Sequence, residues 1–135
     1  MIVVDVNTIA YLWIPGELTE SAEHALARDP HWVSPILWRS EFRNILAGYL
    51  RRGRMDMKAA IQCLNGAESQ MTGNEFTVPS SLVMEKVADS TCSAYDCEYV
   101  ALAQDMNLPL ITTDRQILDE FPKQARNLRD FADGR

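Results

Sequence analysis

Apolar and polar positions alternate in blocks along this chain, and the spacing inside each block predicts its structure. Ile2-Val3-Val4 is an unbroken β-branched run closed by Asp5, the pattern of a short strand buried on both faces. Residues 7–13 carry apolar side chains at helical spacing until Pro15-Gly16 stops them. Thr19 predicts an N-cap for a helix reaching residue 28, with Glu20 and Glu23 in its first turn. Trp32-Val33-Ser34 reads as a second strand. A long helix is predicted over 35–52, with Pro35 at its start and Gly53 just past its end. Asp56 caps another helix reaching residue 71, and 75–78 reads as a third strand ended by Pro79. Two successive helices follow over 81–91 and 93–106, then a strand over 109–112 and a short helix over 114–121. From Ala125 the tail predicts an edge strand and a final turn.

Strands that alternate with helices predict an α/β fold, with a parallel-dominated sheet covered by helices on both faces. Ligands of such sheets sit beyond the carboxyl ends of the strands. The length of 135 residues suits one domain, and repeats, linkers and low-complexity stretches are not evident. At 47% apolar and 24% charged residues the composition is globular. Net charge is −6, which argues against a simple basic nucleic-acid binder but not against an enzyme that meets a polyanion through bound cations. The first basic residue is Arg28, and the longest charge-free run, 6–16, is half a membrane span, so neither a signal peptide nor a membrane helix is expected. Cys63, Cys92 and Cys97 form no CxxC pair and read as free thiols of a cytoplasmic protein. Two histidines, His24 and His31, leave little material for a zinc site or a Ser-His-Asp hydrolase.

Four acids carry the candidate chemistry. Taken singly, each has an ordinary reading. Asp5 and Asp114 end strands and suit helix caps, and Asp96 completes a capping box that starts at Ser93. Glu41 falls at the edge of an amphipathic stripe, with Asn44 one turn on. Taken together they differ. Asp5 and Asp114 leave the sheet on the same side, Asp96 opens a helix, and Glu41 lies near the start of another. Acids converging beyond one sheet edge repel strongly when unpaired, and a divalent cation is the natural remedy. Carboxylates without histidine or cysteine favour Mg²⁺ or Mn²⁺, ions that bind phosphate substrates and activate water. Arg51, Arg52 and Arg54 suit either the negative end of a helix or nucleic-acid phosphates, and Arg115 is the cation nearest the candidate site.

The order Asp5-Val6-Asn7-Thr8, Ser40-Glu41-Phe42-Arg43-Asn44, Ser93-Ala94-Tyr95-Asp96 leading into Tyr99-Val100-Ala101-Leu102-Ala103, and Leu110-Ile111-Thr112-Thr113-Asp114 resembles the PIN-domain family over nearly the whole chain. Within it the chain is similar to the VapC-type toxins of bacterial toxin–antitoxin pairs. The resemblance implies a three-layer α/β/α sandwich with a central, mainly parallel sheet of four to five strands. It implies a Mg²⁺- or Mn²⁺-dependent endoribonuclease acting on single-stranded regions of RNA. Asp5, Glu41, Asp96 and Asp114 would be the acidic quartet, and Asp5, Asp96 and Asp114 would hold the metal. Asn7 and Thr8 would support Asp5, Asn44 would support Glu41, and Arg115 would help to neutralise charge. It also implies a homodimer and a small antitoxin whose C-terminal segment covers the site. Many relatives carry a further acid where this chain has Gln116, so a single ion is expected.

Two other readings stay open. Asp5-Val6-Asn7-Thr8-Ile9 resembles the Asp-x-Asp-x-Thr loop of haloacid-dehalogenase phosphatases, with Asp5 as nucleophile and Asn7 where their second acid stands. A PIN-like fold can also serve as an RNA or protein interaction module without catalysis.

Overall fold

The computed structural model describes residues 1–135, in which five strands alternate with eight helices. The strands are β1 (Ile2–Val4), β2 (Trp32–Pro35), β3 (Glu75–Phe76), β4 (Leu110–Thr112) and β5 (Ala125–Asn127). The helices are α1 (Val6–Trp13), α2 (Thr19–Arg28), α3 (Trp38–Arg51), α4 (Met57–Met71), α5 (Ser80–Ala88), α6 (Ala94–Met106), α7 (Arg115–Glu120) and α8 (Leu128–Ala132). All four strand pairings are parallel, in the order β3-β2-β1-β4-β5, so the sheet is wholly parallel. Val3 pairs with Val33 on one side and with Leu110 on the other. β1 is therefore central, and its three residues are all buried.

Helices α1, α2, α4 and α8 pack together on one face, with α3 against α1 and α4, while α5 and α6 form the other layer. The α/β/α sandwich follows from the apolar faces of these helices. Trp32, Trp38, Phe42, Ile9 and Leu110 are each essentially inaccessible to solvent. Burying one such side chain is worth about 1.5–3 kcal/mol, which commits the short strands to the core despite their length. The start of α3 is pinned to β3 and α4 by a polar fork. Arg39 donates through Nε and Nη2 to Glu75 at 2.6 and 2.8 Å and through Nη1 to Glu68 at 3.0 Å. Trp38 Nε1 also donates to Glu75, at 2.8 Å.

Four boundaries differ from the sequence expectation, each for a local reason. Pro35 ends β2 instead of starting the long helix, because the β1 pairing stops at Val33 and the bonds to β3 are made by the N–H groups of Ser34 and Ile36, so the missing N–H of Pro35 has no partner to lose. Thr19 lies inside α2 and Leu18 is its N-cap. The Thr19 hydroxyl is occupied instead, donating to the Tyr11 carbonyl at 2.7 Å and accepting from the Gly16 N–H at 2.9 Å. β3 covers only Glu75–Phe76, because the chain leaves the sheet toward Pro79, the N-cap of α5. α5 ends at Ala88, short of residue 91, because both the N–H and the hydroxyl of Thr91 are drawn to the Glu120 carboxylate at 2.9 Å. Gly53 does end the long helix, with φ of 68° in the left-handed region that glycine tolerates.

Candidate active site

Strand order reverses between β1 and β4, since β2 and β3 lie on one side of β1 and β4 and β5 on the other. Connections leaving two such strands diverge to opposite sides and open a crevice beyond their carboxyl ends. Asp5 directly follows β1, and Asp114 stands two residues beyond β4. Their placement at this crevice is a consequence of topology.

Asp5 is 6% exposed and is held by three donors. Thr8 gives its backbone N–H and its hydroxyl to Oδ1 at 2.9 and 2.8 Å, and the Thr112 hydroxyl donates to Oδ2. Thr112 is itself fully buried and accepts from the Asp114 N–H at 3.0 Å, so one hydroxyl couples the two strand-end acids. Asp114 caps α7 through the Ile117 N–H at 3.1 Å, and Asp96 occupies the first turn of α6, where its N–H donates to Ser93 Oγ at 3.1 Å. The capping readings of Asp5 and Asp114 are thus structurally correct, and capping is what aims these carboxyls. Glu41 sits in the first turn of α3 and accepts from Tyr99 Oη at 2.6 Å.

Electrostatics shows that the four acids share one field. Burial raises the Asp5 carboxyl above its usual range against the hydrogen bonds from Thr112 and Thr8, and the Asp114 charge raises it further. Glu41 is raised by burial and by the charges of Asp96, Asp5 and Glu98, with the Tyr99 hydrogen bond opposing. Asp96 is raised by burial and by Asp114. The repulsions close a ring: Asp5 with Glu41, Glu41 with Asp96, Asp96 with Asp114, and Asp114 with Asp5. None of the four forms an ion pair within the chain. This donor set suits a hard dication. No three carboxylates stand close enough in this structure to make a coordination shell.

The supporting residues divide. Thr8 holds Asp5 as expected, and Asn7 is exposed beside it. Asn44 is exposed and gives Glu41 no hydrogen bond; that place is taken by Tyr99, which α6 brings across from the opposite layer. Arg115 is exposed and forms no ion pair. Gln116 turns away to donate to Thr91 Oγ1 at 2.9 Å. Sequence reasoning assigned no role to Tyr99 or Thr112. The available signals were a hydroxyl three residues after Asp96, within an apolar run and on the same helical face, and a hydroxyl two residues before Asp114.

Residues 2–124 match the PIN domain. The chain belongs to the PIN-domain family. It is 29% identical over 124 residues to ribonuclease VapC3 of Pyrobaculum aerophilum, covering 90% of this chain and 95% of that protein. Among solved structures it resembles PAE2754 from Pyrobaculum aerophilum, with a TM-score of 0.78 and 22% identity over 98% of this chain and 93% of that one. A toxin–antitoxin complex from Klebsiella pneumoniae aligns with a TM-score of 0.66 and 18% identity, over 95% of this PIN domain and 98% of that chain. FitAcB from Neisseria gonorrhoeae gives the same TM-score at 16% identity, over 98% and 94%. These likenesses establish the fold for this PIN domain. No helix in it is long and apolar enough to cross a membrane.

Proposed function

We propose that this PIN domain is a Mg²⁺- or Mn²⁺-dependent endoribonuclease, the toxin of a VapBC-like pair, that hydrolyses phosphodiester bonds in single-stranded RNA. The observation that carries the reading is that Asp5 and Asp114 leave adjacent strand ends β1 and β4, joined through Thr112, and that neither they nor Glu41 and Asp96 have an ion-pair partner in the chain. The likeness to ribonuclease VapC3 supports the substrate class, and the Klebsiella toxin–antitoxin complex supports an antitoxin partner.

Asp5, Asp96 and Asp114 would hold the ion, some of them through water, since no three carboxylates stand close enough to bind it directly. When bound, it would supply a Lewis acid for the phosphate and lower the pKa of a coordinated water. Thr8 and Thr112 fix the Asp5 carboxylate before substrate arrives, so little reorganisation is needed. Tyr99 fixes Glu41, which orients the attacking water and takes its proton. Water oxygen bonds to phosphorus as the bond to the 3′ oxygen breaks, and the departing 3′ oxygen takes a proton from solvent, leaving a 5′-phosphate and a 3′-hydroxyl. Arg115 meets the developing negative charge. The phosphatase reading needs a second carboxylate at the position of Asn7, and the family match points elsewhere.

End-group analysis of cleaved RNA tests this chemistry. A 5′-phosphate is expected, and a 2′,3′-cyclic phosphate would overturn it by showing internal attack. Growth arrest on expression, relieved by Asp114→Asn, is the expected cellular counterpart.

A further inference from the structure

A cleft of about 300 Å³ opens between α1 and α3 and extends to the turn at Pro15-Gly16. Asn7, Tyr11, Ile45, Leu18 and Tyr49 are among the residues that line it. It adjoins the acidic crevice at two points. Asn7 lies two residues beyond Asp5, and Tyr11 Oη is hydrogen-bonded at 2.9 Å to the hydroxyl of Thr113, the residue before Asp114. The wall is thus tied to the strand end that carries a candidate ligand. Glu17 is the cleft's single charged lining residue; its side chain is 90% exposed, 3.7 Å from Arg129. The interior therefore suits an uncharged planar group with polar edges better than a phosphate. Tyr49 is half-buried and lines the cleft. Arg52 folds back along α3 so that its guanidinium lies 5.2 Å from the Tyr49 ring centre. This path exists because residue 48 is glycine, where an added Cβ would meet Arg52 Nη1 at 2.9 Å. One arginine of the cluster after the long helix is thereby brought to this aromatic ring. Asn7 is exposed and makes no side-chain hydrogen bond, so its amide is free both to donate and to accept.

We propose that this cleft binds a nucleobase of the RNA strand flanking the scissile phosphate. Tyr49 is the stacking platform, Asn7 meets the base edge and Arg52 contacts a backbone phosphate. Single-stranded RNA is recognised in this way, by unstacked bases on aromatic rings with basic residues along the backbone. The inference rests on the nuclease reading for its substrate, and its test can fail separately.

The probe is a set of short single-stranded oligoribonucleotides with 2-aminopurine placed at each position in turn, mixed with the protein in EDTA. Quenching at one position beside the cut is expected. Tyr49→Ala should abolish it and raise KM roughly 5- to 150-fold with kcat little changed, as loss of one stacking contact predicts. Tyr49→Phe should behave as the native protein. Tyr49→Leu, which keeps the packing bulk, should behave as Tyr49→Ala. An abasic nucleotide at the quenched position should impose the same loss on the native protein and none on Tyr49→Ala. Unchanged KM and quenching in Tyr49→Ala and Tyr49→Leu would overturn the proposal, as would a Tyr49→Phe variant that folds but fails like them. Native protein that quenches without cutting would refute the nuclease reading and leave the base site standing. Cutting without position-specific quenching would do the reverse.

Discussion

Replacing Tyr99 by phenylalanine removes one oxygen atom and tests whether Glu41 is a positioned base. The ring of Tyr99 is 2% exposed and stays packed, so the change is confined to the 2.6 Å bond to Glu41 Oε1. A hydrogen bond to a charged acceptor is worth about 1.5–3 kcal/mol. Glu41 is only half-buried, so water can replace part of the donor, which favours the lower half of that range. Single-turnover cleavage should therefore slow about 10- to 40-fold, at about 1.4 kcal/mol per factor of ten. Stability should fall by about 1 kcal/mol, or about 3–5 °C in Tm. The Tyr99 bond opposes the rise that burial and neighbouring acids impose on Glu41, so its loss moves the Glu41 carboxyl higher still. Activity that needs ionised Glu41 is lost as pH falls through that value, and the acid limb of the rate profile should move to higher pH. Combining Tyr99→Phe with Glu41→Gln should add little to Glu41→Gln alone. Fully additive losses, or an acid limb that does not move, would refute the claim that Tyr99 acts through Glu41.

Three further outcomes follow from the same physics. In EDTA, Asp5→Asn should be more stable than the native chain, because asparagine also caps a helix while the buried charge and its repulsion with Asp114 are gone. The raised Asp5 carboxyl contributes stability below its unfolded pKa that is lost as pH rises through the folded value, so the advantage of Asp5→Asn should grow with pH across the carboxyl range, read as Tm. Gly66→Ala should cost about 1–3 kcal/mol in a urea titration, against the usual helix gain, because the new Cβ would stand 2.4 Å from the Trp13 ring. Glu75→Gln should cost about 1–2 kcal/mol at neutral pH by loosening the Arg39 fork. The hydrogen bonds from Arg39 lower the Glu75 carboxyl, so its contribution is present above its unfolded pKa and lost as pH falls through the folded one; the variant should match the native chain in acid.

The elements most legible in the sequence were those whose burial and caps agree. β1 could be read because a central parallel strand is apolar on both faces, and α4 because Asp56 caps it, accepting from the Ala59 N–H at 2.8 Å. Pro35 misled because the same residue suits a first helical turn and a strand end that pairs on one side alone, here with Phe76 of β3. Thr19 misled because its hydroxyl serves the preceding turn. At the site, Asp5, Glu41, Asp96 and Asp114 could be grouped in advance because acids converging beyond one sheet edge repel when unpaired, and the structure gives none of them an ion-pair partner. Tyr99 could not be paired with Glu41, since 58 residues separate them and only the packing of α6 across the sheet brings them together. Thr112 escaped because a strand threonine has an ordinary reading, and its link to Asp5 exists only where β4 lies beside β1.

If Asp5, Glu41, Asp96 and Asp114 form a metal-dependent nuclease centre, cleavage must need both a divalent ion and these acids. This requirement is tested most directly by incubating purified protein with an end-labelled panel of structured RNAs in Mg²⁺, in Mn²⁺ and in EDTA, beside Asp5→Asn. Cutting in single-stranded regions is expected with either metal, and none in EDTA or with Asp5→Asn. Cutting that persists in EDTA, or an Asp5→Asn variant as active as the native chain, would contradict it.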